Sequence, residues 1–282
     1  MIEFRSAAVV VPGPEGDTTV LHPTTLTLTE RRVSIIGANG SGKSTLARLI
    51  NGLVEPSSGS VGIGSAVGPH APGSGNPADT ATPLLDTRRD GAAVRRAVGF
   101  VFTDPAAQLI MPTVAEDIAL SLRRRVRGKA ERRAAALSAL DRFGLRALAD
   151  RSVHTLSGGQ KQLLAIASVL ATEPAILVAD EPTTLLDLRN ALRIGEFLFG
   201  LSQQLVVVTH DLELAARADR TLVVADGRIA FDGAPAAAIA HYRESVALEP
   251  GAPAAAEAPT APGAPSAPAA APSAGRDPEP GS

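Results

Sequence analysis

Val33-Ser34-Ile35-Ile36-Gly37-Ala38-Asn39-Gly40-Ser41-Gly42-Lys43-Ser44-Thr45 is the stretch on which the fold turns. A short apolar run passes through glycines into Lys-Ser and then into Lys43 to Asn51, whose apolar residues recur at helical spacing. Gly37 to Ser44 satisfies G-x-x-x-x-G-K-[ST] in full, with the strand before it and the helix after it that this motif needs. The glycines let backbone N–H groups turn inward on phosphates, and the helix start adds its positive dipole end. Lys43 is placed to reach the β- and γ-phosphates, and the Ser44 hydroxyl to bind Mg²⁺. Gly37, Asn39, Gly40, Ser41, Gly42, Lys43, Ser44 and Thr45 are therefore the candidate ATP site, with ATP and Mg²⁺ as the expected ligands.

Outward from this loop, short apolar strands alternate with helical segments, the pattern of an α/β fold. The strand candidates are Val33 to Ile36, Ile176 to Ala179, Leu205 to Val208 and Thr221 to Val224. Their nearly unbroken apolar character suggests strands covered on both faces, hence a mostly parallel central sheet. Helices are expected at Lys43 to Asn51, Val114 to about Arg125, Lys129 to Phe143 and Gly159 to Thr172. The middle helices have few strands around them, which predicts a helical subdomain over about 104–172 inserted into the α/β core. Ser65 to Pro83 is Gly/Pro/Ala-rich and reads as a flexible insertion, and 249–282 as a disordered Ala/Pro-rich tail.

Composition narrows the class. The chain has 282 residues, 45% of them hydrophobic, ample for a sizeable core. No run approaches the roughly 18 apolar residues of a membrane-spanning helix, and the N-terminus lacks a basic-then-apolar leader, so the chain is expected neither to cross a membrane nor to be secreted. It contains no Cys, which excludes disulfides and thiolate chemistry. A net charge of −2 supplies no electrostatic argument for nucleic acid as a main partner.

Two further motifs carry chemistry. Ile176-Leu177-Val178-Ala179-Asp180-Glu181-Pro182 is an apolar strand ending in two acids. Alone it reads equally well as an acidic turn. After a phosphate loop, Asp180 suits Mg²⁺ and Glu181 suits the water that attacks the γ-phosphate. Leu156-Ser157-Gly158-Gly159-Gln160 opens a helix and makes a second anion-binding helix start, although a Ser-capped helix with a Gly-Gly entry would look the same. A single ATP has one γ-phosphate, so a second phosphate-reading element suggests that each chain completes a site on another.

The ordered set GANGSGKST, LSGGQ, ILVADEPT, Thr184-Leu185-Leu186-Asp187 and Val208-Thr209-His210-Asp211 resembles the nucleotide-binding domain of ATP-binding-cassette proteins over about residues 1–245. That resemblance implies a phosphate-loop ATPase core with an N-terminal antiparallel β portion and an inserted helical subdomain. It implies a head-to-tail dimer in which Ser157, Gly158, Gly159 and Gln160 face the ATP held by Lys43 of the other chain, with Asp187 as a cross-dimer contact. It casts Glu181 and His210 as the catalytic pair. All the site motifs lie in one chain, which favours a homodimer.

Two positions depart from the family pattern. Val11 stands where an aromatic residue usually stacks on adenine, and Thr103 stands at the glutamine-loop position, where it is expected to act through a bridging water or to have ceded that role. Pro105, Gln108 and Leu109 of the same loop resemble the P-x-x-Q-apolar element of energy-coupling-factor transporter ATPases, with Ala106 in place of an acid, and the QLIMPTV wording is most similar to the biotin-uptake branch. The resemblance implies an ATPase on the cytoplasmic face of the membrane that powers uptake of a vitamin or a transition metal, with an integral membrane coupling protein and a substrate-binding membrane protein as partners. The alternatives are a conventional transporter ATPase, or a soluble cassette protein acting on DNA or ribosomes. The basic run Arg123, Arg124, Arg125, Arg127, Lys129, Arg132 and Arg133 reads either as a partner or headgroup contact or as a solvated face paired with local acids.

Overall fold

The computed structural model describes residues 1–14, 16–64 and 84–248. The insertion expected at 65–83 and the tail at 249–282 lie outside them. In chain order the elements are β1 (Ile2–Val11), β2 (Thr18–Leu28), β3 (Arg32–Ile36), α1 (Lys43–Asn51), β4 (Ser58–Ile63), β5 (Leu85–Asp86), α2 (Gly91–Ala97) and β6 (Val98–Val101). Three helices follow, α3 (Val114–Ser121), α4 (Lys129–Arg142) and α5 (Gly158–Leu170). The chain then returns to the sheet through β7 (Ile176–Asp180), α6 (Leu188–Gly200), β8 (Gln204–Val208), α7 (Leu212–Ala215), β9 (Arg220–Ala225), β10 (Arg228–Gly233) and α8 (Pro235–Leu248).

Two sheets result. The smaller one, ordered β2-β1-β4-β5, is antiparallel throughout, with Ile2 opposite Leu28 on one side and Ile63 on the other. The larger runs β10-β9-β3-β8-β7-β6, parallel except for the β9/β10 hairpin at its edge. The apolar strands read from sequence are the inner strands of this sheet, and alternation explains why they show no polar face. Ile176, Val178, Val206 and Val208 enter the core shared with α1 and the antiparallel sheet. Leu177, Ala179, Leu205 and Val207 enter a second core under α5 and α6.

The middle helices form a third core, in which Val114, Ile118 and Leu122 meet Ala136, Leu140 and Leu164. Helix α5 serves two cores at once, because Leu164 and Ala167 face the helices while Ile166 and Leu170 face the sheet. Three residues of the basic run are tied down locally. Arg125 pairs with Glu173 and Arg133 with Asp150, while Arg132 donates to the carbonyls of Val126 and Arg127.

Some boundaries differ from expectation. The helix expected from Val114 to about Arg125 is α-helical only to Ser121 and tightens into a 3-10 turn over Leu122–Arg124, where the Leu122 carbonyl accepts from both Arg125 and Val126. Helix α5 begins at Gly158 and not Gly159, because Ser157 caps it. Helix α8 continues to Leu248, three residues past the bound of the family resemblance. At the start of β3, buried Arg32 sends its guanidinium to the carbonyls of Arg31, Phe199, Leu201 and Gln203. It thereby fastens the end of α6 to the strand that feeds the phosphate loop.

Candidate functional site

The C-terminal ends of four adjacent parallel strands, β3, β8, β7 and β6, converge on one edge, where open α/β sheets place their ligands. β3 runs directly into the phosphate loop. A side chain at Gly37 (φ +147°) would put its Cβ 2.1 Å from the Val224 carbonyl, so the loop can leave the sheet only through glycine. Gly42 (φ +101°) caps α1, and its carbonyl takes the Leu46 N–H. The loop rests on the β9/β10 turn, where Asp226 and Gly227 both have positive φ and the Gly227 N–H donates to the Ser41 carbonyl at 2.9 Å. A cavity of about 290 Å³ is lined by Val20, Asn39, Gly40, Ser41, Gly42, Lys43, Ser44, Thr45 and Glu181.

Lys43 Nζ donates to the carbonyls of Gly37 (2.8 Å) and Ala38 (2.7 Å), curled against its own loop. Burial pushes its pKa below the usual lysine range, partly offset by Glu181 and Asp180. At the end of β7, Asp180 is 1% exposed, with Oδ1 accepting from Ser44 Oγ at 2.9 Å and Oδ2 from Arg48 Nη2 at 3.4 Å. Burial raises its pKa above the ordinary carboxylate value, opposed by the Ser44 hydrogen bond and by Arg48. A hydroxyl and a carboxylate oxygen in contact are hard donors that suit Mg²⁺. The Ser41 hydroxyl, buried in the loop with no hydrogen-bond partner among the described residues, is left for a phosphate oxygen. The residues therefore fit Mg²⁺ and a polyphosphate.

Glu181 follows with φ +53°, a left-handed conformation that costs a non-glycine residue about 1–3 kcal/mol. Its N–H still continues the sheet ladder to the Val208 carbonyl at 2.9 Å. The bend turns its carboxylate into the cavity. There Oε2 accepts from Thr184 Oγ1 (2.9 Å), from His210 Nδ1 (2.8 Å) and, longer, from the His210 backbone N–H (3.4 Å). His210 is 60% exposed on its outer side and Glu181 15%. A carboxylate anchored on one oxygen and facing the cavity with the other can accept a proton from water.

The loop after β6 is held by its own contacts. Thr103 Oγ1 donates to the Asp180 backbone carbonyl at 3.0 Å. The Gln108 amide folds back to Phe102 N (3.3 Å) and Phe100 O (3.4 Å) and braces the loop. The signature residues are also engaged locally. Ser157 Oγ accepts from Gln160 N and Gln160 Oε1 from Ser157 N, a capping box that uses the Gln160 side chain within its own helix. Gly159 packs against Asn190, where an added Cβ would lie 2.7 Å from the amide carbon. Asp187 caps α6 through Asn190, whose N–H and amide hold its carboxyl below the ordinary value. Val11 ends β1 at 48% exposure, and Val20 on β2 is the aliphatic residue that reaches the phosphate-loop cavity.

With this geometry in hand, comparison with known proteins is decisive for the class. The sequence pattern of the family described as "ABC transporter" matches residues 21–184. The chain belongs to the ABC transporter ATPase family. Among its relatives it is 46% identical to the biotin transport ATP-binding protein BioM of Rhizobium etli, over 87% of this chain and 99% of that one. It is 40% identical to the nickel import ATP-binding protein NikO of Rhodobacter capsulatus, over 74% and 80%. Among solved structures, the ATP-binding cassette MJ0796, a dimer bound to ADP and Pi, superposes with a TM-score of 0.70 at 30% identity, over 83% of this chain and 99% of that one. The protein cbiO1 of Clostridium perfringens, part of the ABC transporter complex cbiONQ, gives 0.67 at 29%, over 88% and 94%. As a member of this family the chain binds ATP, and no helix among its described residues is long and apolar enough to cross a membrane.

Three site elements escaped the sequence reading. Arg48 lies four residues past Ser44 on α1, and that spacing was the available signal. Thr184 was seen only as part of a motif, without its bond to Glu181. The Asp226-Gly227 pair is a standard hairpin signal, but nothing local shows that the turn underlies the phosphate loop.

Proposed function

We propose that this ABC ATPase hydrolyses ATP with Mg²⁺ to power a membrane importer of the energy-coupling-factor type, with biotin or a similar vitamin as cargo. The observation that carries the hydrolytic part is Glu181, held by His210, lining the same cavity as Lys43, Ser44 and the loop glycines. On binding, the Lys43 ammonium exchanges its loop carbonyls for β- and γ-phosphate oxygens, and the loop N–H groups hold the remaining phosphate charge. Ser44 and Asp180 would hold a magnesium ion, which would neutralise charge on the phosphates. Glu181 orients the attacking water and takes its proton, while His210 fixes the carboxylate and reaches toward the γ-phosphate.

The dimeric and membrane-coupled parts rest on exposed apolar surface. Leu185, before α6, and Leu188 and Leu192 in its first turns stand more than half exposed, a face suited to a second copy of the chain. That copy would present Ser157, Gly158 and Gly159 to the nucleotide held here. Leu53, Ile110 and Leu120 are exposed at another cavity, of about 290 Å³, whose wall includes Phe100, Phe102 and Gln108. This cavity adjoins the Thr103 loop, so an integral membrane coupling protein seated in it would sense the nucleotide site. On this reading the chain sits peripherally, on the cytoplasmic face of the membrane.

The vitamin reading is supported by the 46% identity to BioM across nearly all of that protein. The 40% identity to NikO supports a transition-metal cargo as the second reading. The test is uptake of radiolabelled biotin and of nickel by cells that carry this chain with its co-purifying membrane proteins, beside cells with Glu181→Gln. Biotin uptake lost in the variant supports the first reading; nickel uptake alone replaces it with the second, and uptake of either at the native rate in the variant overturns the assignment of Glu181.

A further inference from the structure

Asp180 is held by more than the metal site requires. Ser44 and Arg48 are four residues apart on α1, so both side chains rise on one face of that helix, and the face lies against the end of β7. Each takes one oxygen of the same carboxylate, Ser44 Oγ at 2.9 Å from Oδ1 and Arg48 Nη2 at 3.4 Å from Oδ2. Asp180 is 1% exposed and Arg48 43%. The carboxylate is therefore fixed in the interior while the guanidinium keeps a route to solvent. Arg48 Nε is buried without a hydrogen-bond partner, and Asp180 is the only acid paired with Arg48, both among the described residues. The arginine is thus attached by one contact and is not locked into a network.

The other approach to Asp180 comes from the loop after β6, and it ends short. Thr103 reaches the backbone carbonyl of Asp180 and not its carboxylate. Both side-chain contacts to the carboxylate are consequently supplied by α1.

The geometry points to Arg48 as a positioning residue that serves as a placeholder cation: it holds the Asp180 carboxylate in the nucleotide-free chain and competes with Mg²⁺ for it. This rests on the reading of Ser44 and Asp180 as the metal-holding pair. A buried carboxylate with no counter-charge is costly, so a cation at Oδ2 keeps the nucleotide-free site intact. The same cation repels a divalent ion arriving between Ser44 and Oδ1, since like charges several ångströms apart still interact appreciably where water is partly excluded. Its solvent-exposed side lets it withdraw when Mg²⁺ arrives. Arg48 thereby sets how much Mg²⁺ is needed to load the site.

The test titrates Mg²⁺ into the full-length chain and reads binding of a fluorescent ATP analogue, with melting curves to show that each variant is folded. Arg48→Gln should lower the half-saturating Mg²⁺ concentration about threefold to fivefold, the scale of a half-exposed ion pair, and Arg48→Lys should stay within about twofold of the native value. Arg48→Met keeps the packed stem without the charge; it should shift in the same direction as Arg48→Gln and replaces it if the amide variant does not fold. Asp180→Asn should abolish the Mg²⁺ dependence of binding. An unchanged or raised half-saturation in both Arg48→Gln and Arg48→Met, with Asp180→Asn insensitive to Mg²⁺, overturns the placeholder role and leaves the metal pair standing. Mg²⁺ dependence that survives in Asp180→Asn overturns both.

Discussion

Replacing His210 with Ala tests whether Glu181 and His210 act as one unit. The ring gives Glu181 Oε2 a 2.8 Å contact, but the same oxygen also accepts from Thr184 Oγ1 and, at 3.4 Å, from the His210 backbone, neither of which the substitution removes. Glu181 therefore stays in the cavity but loses the donor that fixes its plane. The stability cost should be small, since the His210 ring is more exposed than buried and exposed pairs contribute at most about 1 kcal/mol. For a domain of this size that lowers Tm by no more than about 4 °C. The catalytic cost should be much larger. Loss of a positioned acid–base contact reduces turnover by roughly 10²-fold, and Glu181→Gln, which removes the base itself, by roughly 10³-fold or more. The assay is steady-state phosphate release at saturating ATP for the native chain, both single variants and the double variant, with ATP affinity measured separately. If the pair acts as one unit, the double variant turns over about as slowly as Glu181→Gln alone, because His210 has no carboxylate left to orient. Turnover within about threefold of native in His210→Ala, or full multiplication of the two losses in the double variant, would refute the reasoning.

Three other expectations follow from single contacts. Arg32→Met strands the carbonyls of Phe199 and Gln203 beneath β3, while Leu201 keeps the Arg31 guanidinium, and should cost about 2 kcal/mol and lower Tm by roughly 4–8 °C in a thermal melt; an unchanged Tm would show that those carbonyls rehydrate freely. Val11→Tyr should tighten ATP binding by about 1 kcal/mol, roughly fivefold in Kd, and sharpen preference over GTP, read by competition with a fluorescent nucleotide; equal Kd values would remove Val11 from the base contact. Asp180→Asn should raise the melting temperature of the nucleotide-free chain in chelator. Burial holds the folded carboxyl pKa above its ordinary 3.8, so the penalty for the charged form is absent below that value and grows as pH rises through the folded pKa. The gain from Asn should therefore be larger at pH 7 than in acid, and a gain that is flat with pH would contradict burial as the cause.

The catalytic strands were readable because their two faces enter two different cores, which leaves runs such as Leu205 to Val208 apolar at every position. The phosphate loop was readable because φ restrictions at Gly37 and Gly42 force glycine into fixed places. What stayed hidden is contact across long separations in sequence. Arg48 lies 132 positions from Asp180, and Thr103 lies 77 from the same residue. Spacing sets Arg48 beside Ser44 on α1, but no local rule reports that either Arg48 or Thr103 reaches Asp180. Gln108 was legible as part of a P-x-x-Q-apolar element, but the pattern does not show that its amide is used by Phe100 and Phe102 within its own loop.

The register of the sheet explains how the glutamine-loop departure can coexist with an intact site. Val101 pairs with Ala179, Asp180 with Val208 and Val208 with Ile35, so the last residues of four parallel strands are brought level by main-chain ladders. Where Thr103, Asp180, Glu181 and His210 arrive is thus set by backbone pairing and apolar packing beneath them, and only the final reach depends on the side chain. With Thr at 103 the loop reaches Asp180 through its backbone carbonyl and leaves the carboxylate to other groups. The burden of holding the Asp180 carboxylate then falls on Ser44 and Arg48, two side chains of a helix whose position is already fixed by Leu46, Leu49 and Ile50 in the core.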